Sequence, residues 1–331
     1  MNHTDLERLA DEVLSIIRKK PKHVFEISTL AKKLKSESIE IFESAKILKN
    51  WGYGIKLSKS QMAFRHAADT LSATEINFFL KSKIMGQHLV SFHSVKSTND
   101  IASQLAAGGA DEGVVVTSEK QTLGRGRLGR SWHSPEKVGA YLSIVLRPKI
   151  PPDSAPGLSI MTALAAAETF EKYCPDKVKI KWPNDILLGN RKIAGVLTEL
   201  FTKNNKIDYV VVGIGINVNQ KAQDFPQSLR KIATSLRQVS GKKINRAELT
   251  AEFLKHFEKE YKSYLKSQLA GSLKRIRSYS SLLNKTLTLK SGADKITGRA
   301  VDIDKTGALI IETRGKKVTV SGGEVTVVKG S

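Results

Sequence analysis

The sequence predicts an α+β protein in three parts: a winged helix-turn-helix unit over residues 1–69, a mixed-sheet domain over 70–283 and a small β-barrel over 284–331. Three observations lead there. The N-terminal part carries three helix-period stripes and then a short alternating hairpin. The centre interleaves strands with one long alanine-rich helix, and two β-hairpins run through the body of its sheet. The last part is short strands joined by Gly-bearing turns.

From Asp5 to Lys19, Leu6, Leu9, Ala10, Val13, Leu14 and Ile17 fall on one helical stripe. A second helix, "TLAKKL", has Ser28 as its expected cap; a third has Ser36 or Ser38 and an apolar stripe of Ile39, Phe42, Ile47 and Leu48. Trp51-Gly52-Tyr53-Gly54 ends it, and "GIKLSKSQMAFR" alternates like a two-stranded wing. Three helices and a wing make a winged helix-turn-helix. In the centre "EGVVVTSEKQ", "GAYLSIVLRP" and "VKIKWPND" read as strands, and "PGLSIMTALAAAETFEKYC" as a helix. Two hairpins follow, turning at Gly189-Asn190 and Asn204-Asn205. Hairpins inside a sheet imply mixed or antiparallel pairing, not a doubly wound parallel sheet. The helical stretch "NRAELTAEFLKHFEKEYKSYLK" closes the domain.

Composition bounds the function. With 54 Lys+Arg against 32 Asp+Glu the net charge is +22, which suits contact with a polyanion or with anionic substrates. The excess is spread over all three parts and is largest in the central one, so a DNA-binding module alone does not account for it. The single cysteine, Cys174, excludes an internal disulfide and a multi-thiolate metal site and reads as a buried inert thiol. No apolar run approaches the ~20 residues that span a bilayer, and the N-terminus has no basic-then-apolar leader. The expected location is the cytoplasm, with no membrane partner.

The stretch "QTLGRGRLGRSW", Gln121 to Trp132, matches the letters of a dinucleotide-binding loop, Gly124-x-Gly126-x-x-Gly129. That fingerprint requires a helix to start at its glycines and an acid about 20 residues on. Here Pro135 and a strand follow instead. What remains is a Gly-rich loop whose backbone N–H groups and guanidinium forks can fold over an anion. It has companions at strand ends and turns: "KSTND" (96–100), "KWPND" (181–185), "RKIAG" (191–195) and "GIGIN" (213–217). Each alone is ordinary turn chemistry, but five in one order are specific.

In that order they resemble the biotin–protein ligases, and the winged helix ahead of them resembles the bifunctional bacterial kind that also represses biotin-synthesis genes. The resemblance covers essentially the whole chain. It implies a central catalytic domain related to class II aminoacyl-tRNA synthetases and lipoate ligases, and a C-terminal SH3-like barrel. It further implies activation of biotin by ATP to biotinyl-5′-AMP, with pyrophosphate released and Mg²⁺ required. Biotin then passes to one lysine of a biotin carboxyl carrier protein. Operator DNA and a homodimer carrying bound adenylate are the implied partners. Both reactants of the first step are anions, so cations and positioning lower its barrier without a covalent enzyme intermediate.

Carried over by motif, Ser97, Thr98, Asn99 and Gln121 would line the biotin site. Gly124, Arg125, Gly126 and Arg127 would fold over the biotin carboxylate and the phosphates. Arg127 and Arg130 would neutralise phosphates, and Trp132 would pack on the adenylate. Lys192 would sit between carboxylate and α-phosphate as the catalytic cation, with Gly195 permitting close approach. Lys181 would contact the triphosphate, and Asn184 and Asn217 the adenylate. Asp185 would bind Mg²⁺ or meet the incoming lysine amine. Lys32, Lys33, Lys35, Lys46 and Lys49 would hold the DNA backbone.

The sequence departs from the family pattern in three places. Leu128 stands where relatives often carry a loop arginine. The C-terminal "GGEVTVVKG" offers only Lys329 where some members supply an arginine. The expected recognition helix bears Glu37, Glu40 and Glu43 and no arginine, unlike most base-reading helices. Two alternatives stay open: a ligand-sensing transcriptional regulator without turnover, and a lipoate or octanoate ligase on the same scaffold. "GRGRLGRSW" disfavours the second.

Overall fold

The computed structural model describes residues 3–291 and 294–328. The chain forms two compact units, Met1–Thr70 and Leu71–Ser331. The first consists of α1 (His3–Ile17), β1 (Phe25–Glu26), α2 (Ile27–Leu34), α3 (Ser38–Asn50), β2 (Gly54–Leu57) and β3 (Gln61–His66). β3 lies between β1 and β2, antiparallel to both. Leu9, Ala10, Val13, Leu14 and Ile17 of α1 are buried, the Leu, Val and Ile side chains each worth about 1.5–3 kcal/mol when fully covered, while Leu6 is only half-buried.

Two local expectations are corrected in this unit. Glu26, not Ser28, is the N-cap of α2, so Ser28 lies inside the helix. Glu37, not Ser36 or Ser38, is the N-cap of α3, and its backbone N–H donates to the Glu40 carboxylate at 2.9 Å. An acid three residues into the helix satisfies an otherwise orphaned donor, which makes a serine cap unnecessary. The apolar stripe also shifts. Ile41, Ala45 and Leu48 are buried at helical spacing, and Ile39 is 64% exposed.

The second unit continues with α4 (Ala73–Phe79), β4 (Leu89–Val95), α5 (Thr98–Ala107), β5 (Val115–Gln121), β6 (Gly139–Leu146) and α6 (Pro156–Glu171). Then come β7 (Val178–Lys181), β8 (Asp185–Leu188), β9 (Arg191–Lys203), β10 (Lys206–Asn217), α7 (Leu236–Ser240), α8 (Arg246–Ser267) and α9 (Leu273–Tyr279). One sheet runs β4-β5-β6-β10-β9-β8-β7; only β4 and β5 are parallel. This is the mixed sheet the hairpins required. Asn204 and Asn205 both take positive φ (52° and 58°) at the β9–β10 turn, the geometry that matches the twist of paired strands.

Helices cover both faces of this sheet. α6 and α8 bury one face with Leu158, Leu164, Phe253 and Phe257 against Ile144, Val210 and Val212. α5 covers part of the other face, where Ala102 and Ala106 meet Val116, Val145, Tyr209 and Val211. The chain ends in a five-stranded antiparallel sheet ordered β14 (Lys316–Val320), β13 (Leu309–Thr313), β12 (Asp294–Ile303), β11 (Thr286–Ser291) and β15 (Glu324–Val327). Its Leu287, Leu289, Leu309 and Ile311 join the same core as α6 and α8. Trp182 of "KWPND" fastens the two sheets, its Nε1 donating to the Gly307 carbonyl at 2.8 Å. Among the described residues, no helix is long and apolar enough to cross a membrane.

Candidate active site

Side chains alternate across a strand, so register decides what lines each face. Tyr209 and Val211 of β10 face α5, and Gly213 and Gly215 continue that parity. Register puts Ser143 of β6 beside Gly213, and Gly195 of β9 beside Gly215. The α5 face therefore changes from bulky Val and Tyr side chains to a floor of Gly and Ser, and a groove opens there. Two side chains occupy it closely. A Cβ on Gly213 would lie 2.1 Å from Asn99 Oδ1, and one on Gly215 would lie 2.3 Å from Trp132 Nε1. "GIGIN" is thus a pair of clearances as well as a route to Asn217.

A polar chain frames one end of the groove. "KSTND" is the junction from β4 into α5, so Thr98 opens a helix. Gln121, the last residue of β5, accepts from Thr98 N at 2.9 Å and Thr98 Oγ1 at 3.1 Å, and donates to Ser134 Oγ at 3.0 Å. Ser143 Oγ lies 2.7 Å from Thr98 Oγ1 and 2.6 Å from Asn99 Oδ1. Ser97, Thr98, Asn99, Ser134 and Ser143 are all buried.

Cations line the same cavity. Lys192, at the start of β9, donates to Asp185 of β8 at 2.6 Å, and its Nζ stands 5.2 Å from the centroid of the Trp132 ring. Arg127 Nη1 donates to Asn184 Oδ1 at 3.1 Å. Burial lowers the Arg127 guanidinium from the ordinary arginine value; Asp185 opposes this and Arg130 adds to it. A partly desolvated cation of this kind gains from an incoming anion. The loop itself is folded: Gly126 N donates to the Arg130 carbonyl, Trp132 N to the Gly124 carbonyl, and Arg127–Gly129 form a 3₁₀ turn. Leu128, at φ +56°, is 71% exposed at its tip.

The cavity lined by Ser97, Thr98, Asn99, Gln121, Arg125, Gly126, Arg127, Trp132, Asn184, Lys192 and Gly195 has a volume of about 50 Å³. That holds a water or two, far below the ~300–1,000 Å³ of a ligand pocket, so a ligand needs the loop or Trp132 to move. Two larger spaces adjoin it. One of about 580 Å³ is walled by Phe225, Leu229, Ile232 and Val325, with Lys181, Asn217 and Lys192 at its edge. The other, about 320 Å³, lies between Arg127, Arg130, Lys181, Asp185 and Glu324.

Gly124 does not line these spaces: a Cβ there would lie 2.6 Å from the Trp132 carbonyl, so this glycine lets the loop fold back on itself. Arg125 is turned onto Asp100 and Glu199, and Arg130 onto Glu324 of the C-terminal sheet. The sequence reading missed Glu199, Glu324, Ser143 and the Phe225–Ile232 wall. They are ordinary letters in strands and turns, and only the fold brings them to the site. Lys329 lies outside the described residues. Cys174 is buried, and burial pushes its thiol up, which keeps it inert.

A Gly-floored groove on a mixed sheet, overlaid by an arginine loop and flanked by an apolar space, is a site of the kind that protein ligases build on this fold. The chain belongs to the biotin/lipoate A/B protein ligase family, whose model matches residues 91–217; the model for the biotin protein ligase C-terminal domain matches residues 282–328. It is similar to "Bifunctional ligase/repressor BirA" of Bacillus subtilis (strain 168), with 40% identity over 73% of this chain and 75% of that one. The protein of that name from Escherichia coli (strain K12) is 33% identical over 66% and 68%. Among solved structures it resembles the biotin protein ligase from Aquifex aeolicus in complex with biotin and ATP. The TM-score there is 0.63 and the identity 30%, over 73% of this chain and 99% of that one.

Proposed function

We propose that this chain is an ATP-dependent biotin–protein ligase, which activates biotin to biotinyl-5′-AMP and passes it to a lysine of a biotin carboxyl carrier protein. The observation that carries the reading is the one cavity lined both by Thr98 and Gln121 and by Lys192 and Arg127. Hydroxyl and amide groups suit the ureido head, and the cations suit the carboxylate and α-phosphate. A biotin carboxylate oxygen attacks the α-phosphorus, and the bond to the bridging oxygen breaks with pyrophosphate leaving. Lys192 and Arg127 offset the charge that gathers there. The lysine amine then attacks the acyl carbon, AMP leaves with the bonding pair, and the amine proton passes to solvent. The apolar space beside Asn217 would take the adenine.

Mg²⁺ needs hard oxygen donors, and it commonly uses one or two carboxylates with the substrate's phosphates completing the set. Among the described residues no three His, Cys, Asp or Glu side chains gather. Asp185, on the wall of the cation-lined space, fits such a sparse site and would hold the ion, which supplies charge compensation for the leaving polyphosphate. With biotin, ATP and Mg²⁺ the purified protein should form biotinyl-adenylate by mass spectrometry, and Lys192→Ala should lose it while staying folded. No adenylate from the wild type, or an unimpaired Lys192→Ala, overturns the reading.

The N-terminal unit reads as a winged helix-turn-helix that binds operator DNA, and the C-terminal sheet as an SH3-like barrel. Lys32, Lys33, Lys35, Lys46 and Lys49 are exposed on or beside α2 and α3, placed for phosphate contact, although Lys46 shares its charge with Glu43 at 2.7 Å. Repression in the cytoplasm by an adenylate-bound homodimer follows from this reading. Sequence-specific binding with a steep salt slope supports it; binding indifferent to sequence and salt refutes it.

A further inference from the structure

Arg125 opens the arginine loop, yet its guanidinium does not face the cavity as a free cation. Its Nη2 lies 2.6 Å from Asp100 Oδ1 and 3.1 Å from Glu199 Oε1. Asp100 sits in the first turn of α5 and Glu199 in β9, both fixed elements. The other oxygen of Glu199 accepts from Asn99 Nδ2 at 2.7 Å, and Asn99 is held in turn by Ser143. Two carboxylates against one guanidinium leave this cluster with no positive charge to offer an anion. Anion binding therefore falls first to Arg127, bonded to the neutral Asn184 amide, and then to Lys192, which shares its charge with Asp185.

Resting on the ligase reading, we propose that Arg125, Asp100 and Glu199 form a clasp that gates the cavity, with the two acids as positioning residues and not ligand contacts. The loop is fastened at its start by Gln121 on Thr98 and at its end by Trp132 on the glycine floor. The clasp ties the span between them to α5 and β9. With it made, the cavity holds about 50 Å³, too little for a small acid, and the clasp holds in place the loop whose movement would enlarge it. A clasp that has to break before the acid fits competes with binding, so loosening it raises association and tightens Kd. The clasp is partly solvated, with side-chain exposures of 46% for Arg125, 43% for Asp100 and 27% for Glu199, so salt screens it.

The test uses the full chain with Asp100→Asn, Glu199→Gln and the double variant; Gln at 199 keeps an acceptor for Asn99. Hydrogen exchange of the bonded amides of Gly126, Arg130 and Trp132, without ligand, reads loop opening directly. It should quicken roughly tenfold in the double variant, the scale two exposed ion pairs set. Added salt should quicken it in the wild type and not in the variant. Biotin association should rise by about the same factor with dissociation little changed, so that Kd tightens. Unchanged loop exchange overturns the clasp. Faster dissociation with unchanged association overturns the gate and makes these acids part of the ligand site. A wild type that binds no biotin refutes the ligase reading, while the exchange arm still judges the clasp. If Glu199→Gln misfolds, Asp100→Asn alone decides, with about half the effect on a logarithmic scale.

Discussion

Gly215→Ala separates the fold from the site. A Cβ at 215 would lie 2.3 Å from Trp132 Nε1 and 2.4 Å from Cε2, whereas ordinary contact begins at 3.4 Å. The indole must therefore retreat by about 1 Å. Nothing resists within the strand: Gly215 is not at positive φ, and alanine restricts the unfolded chain, worth about 0.4–1 kcal/mol in favour of folding. Trp132 Nε1 is buried and makes no hydrogen bond, so moving it breaks none. The loss lies in the site: an indole displaced by about 1 Å no longer packs on the adenylate, a loss of roughly 0.5–1.5 kcal/mol, or about 2- to 13-fold in affinity. The Lys192 Nζ over the ring shifts with it. Titration calorimetry of biotin with ATP, beside a thermal melt, gives both numbers. Weakened binding with an unchanged or raised Tm supports the reasoning; wild-type affinity in a folded variant refutes it.

Gly213→Ala should be harsher, because the Asn99 amide that it meets at 2.1 Å is held by Ser143 and Glu199 and cannot step aside; both Tm and biotin affinity should fall, and a neutral variant would show the network to be slack. Trp182→Phe removes the bond to the Gly307 carbonyl and leaves a buried acceptor unpaired, about 1–3 kcal/mol, read as a lower Tm with biotin affinity intact. Glu324→Gln frees Arg130 and should tighten pyrophosphate binding by calorimetry, while weaker binding would mean that Glu324 sets Arg130 in a productive position. Burial raises the carboxyl of Glu260, but Arg275 and Ser272 outweigh this and hold it below 4.5. Its contribution is then present above the unfolded value and is lost as pH falls through the folded one, so the stability gap between wild type and Glu260→Gln should close on acidification.

Periodicity and turn chemistry alone foretold α1, the β9–β10 hairpin at its asparagine pair, the alanine-rich α6 and the strand after the arginine loop that excludes a dinucleotide fold. These are local: each depends on neighbours within a few residues, and the residues carry the signal themselves. The same locality misled at the caps of α2 and α3, where serines were plausible and glutamates hold the positions. The motif glycines were legible as special, but not as what they are for.

That had to come from the tertiary structure. Gly195, Gly213, Gly215 and Ser143 sit on three strands, and only the register of β6, β10 and β9 sets them side by side as one floor. Arg125, Arg127 and Arg130 are three like letters in six residues, yet they meet two acids, an amide and a third acid contributed by elements far along the chain. Charge in a sequence is a count, whereas its availability to a ligand depends on which partners the fold places within reach. By itself the sequence determined which side chains could hold an acid and a nucleotide. The packing of the sheets decided which of those charges are free to do so.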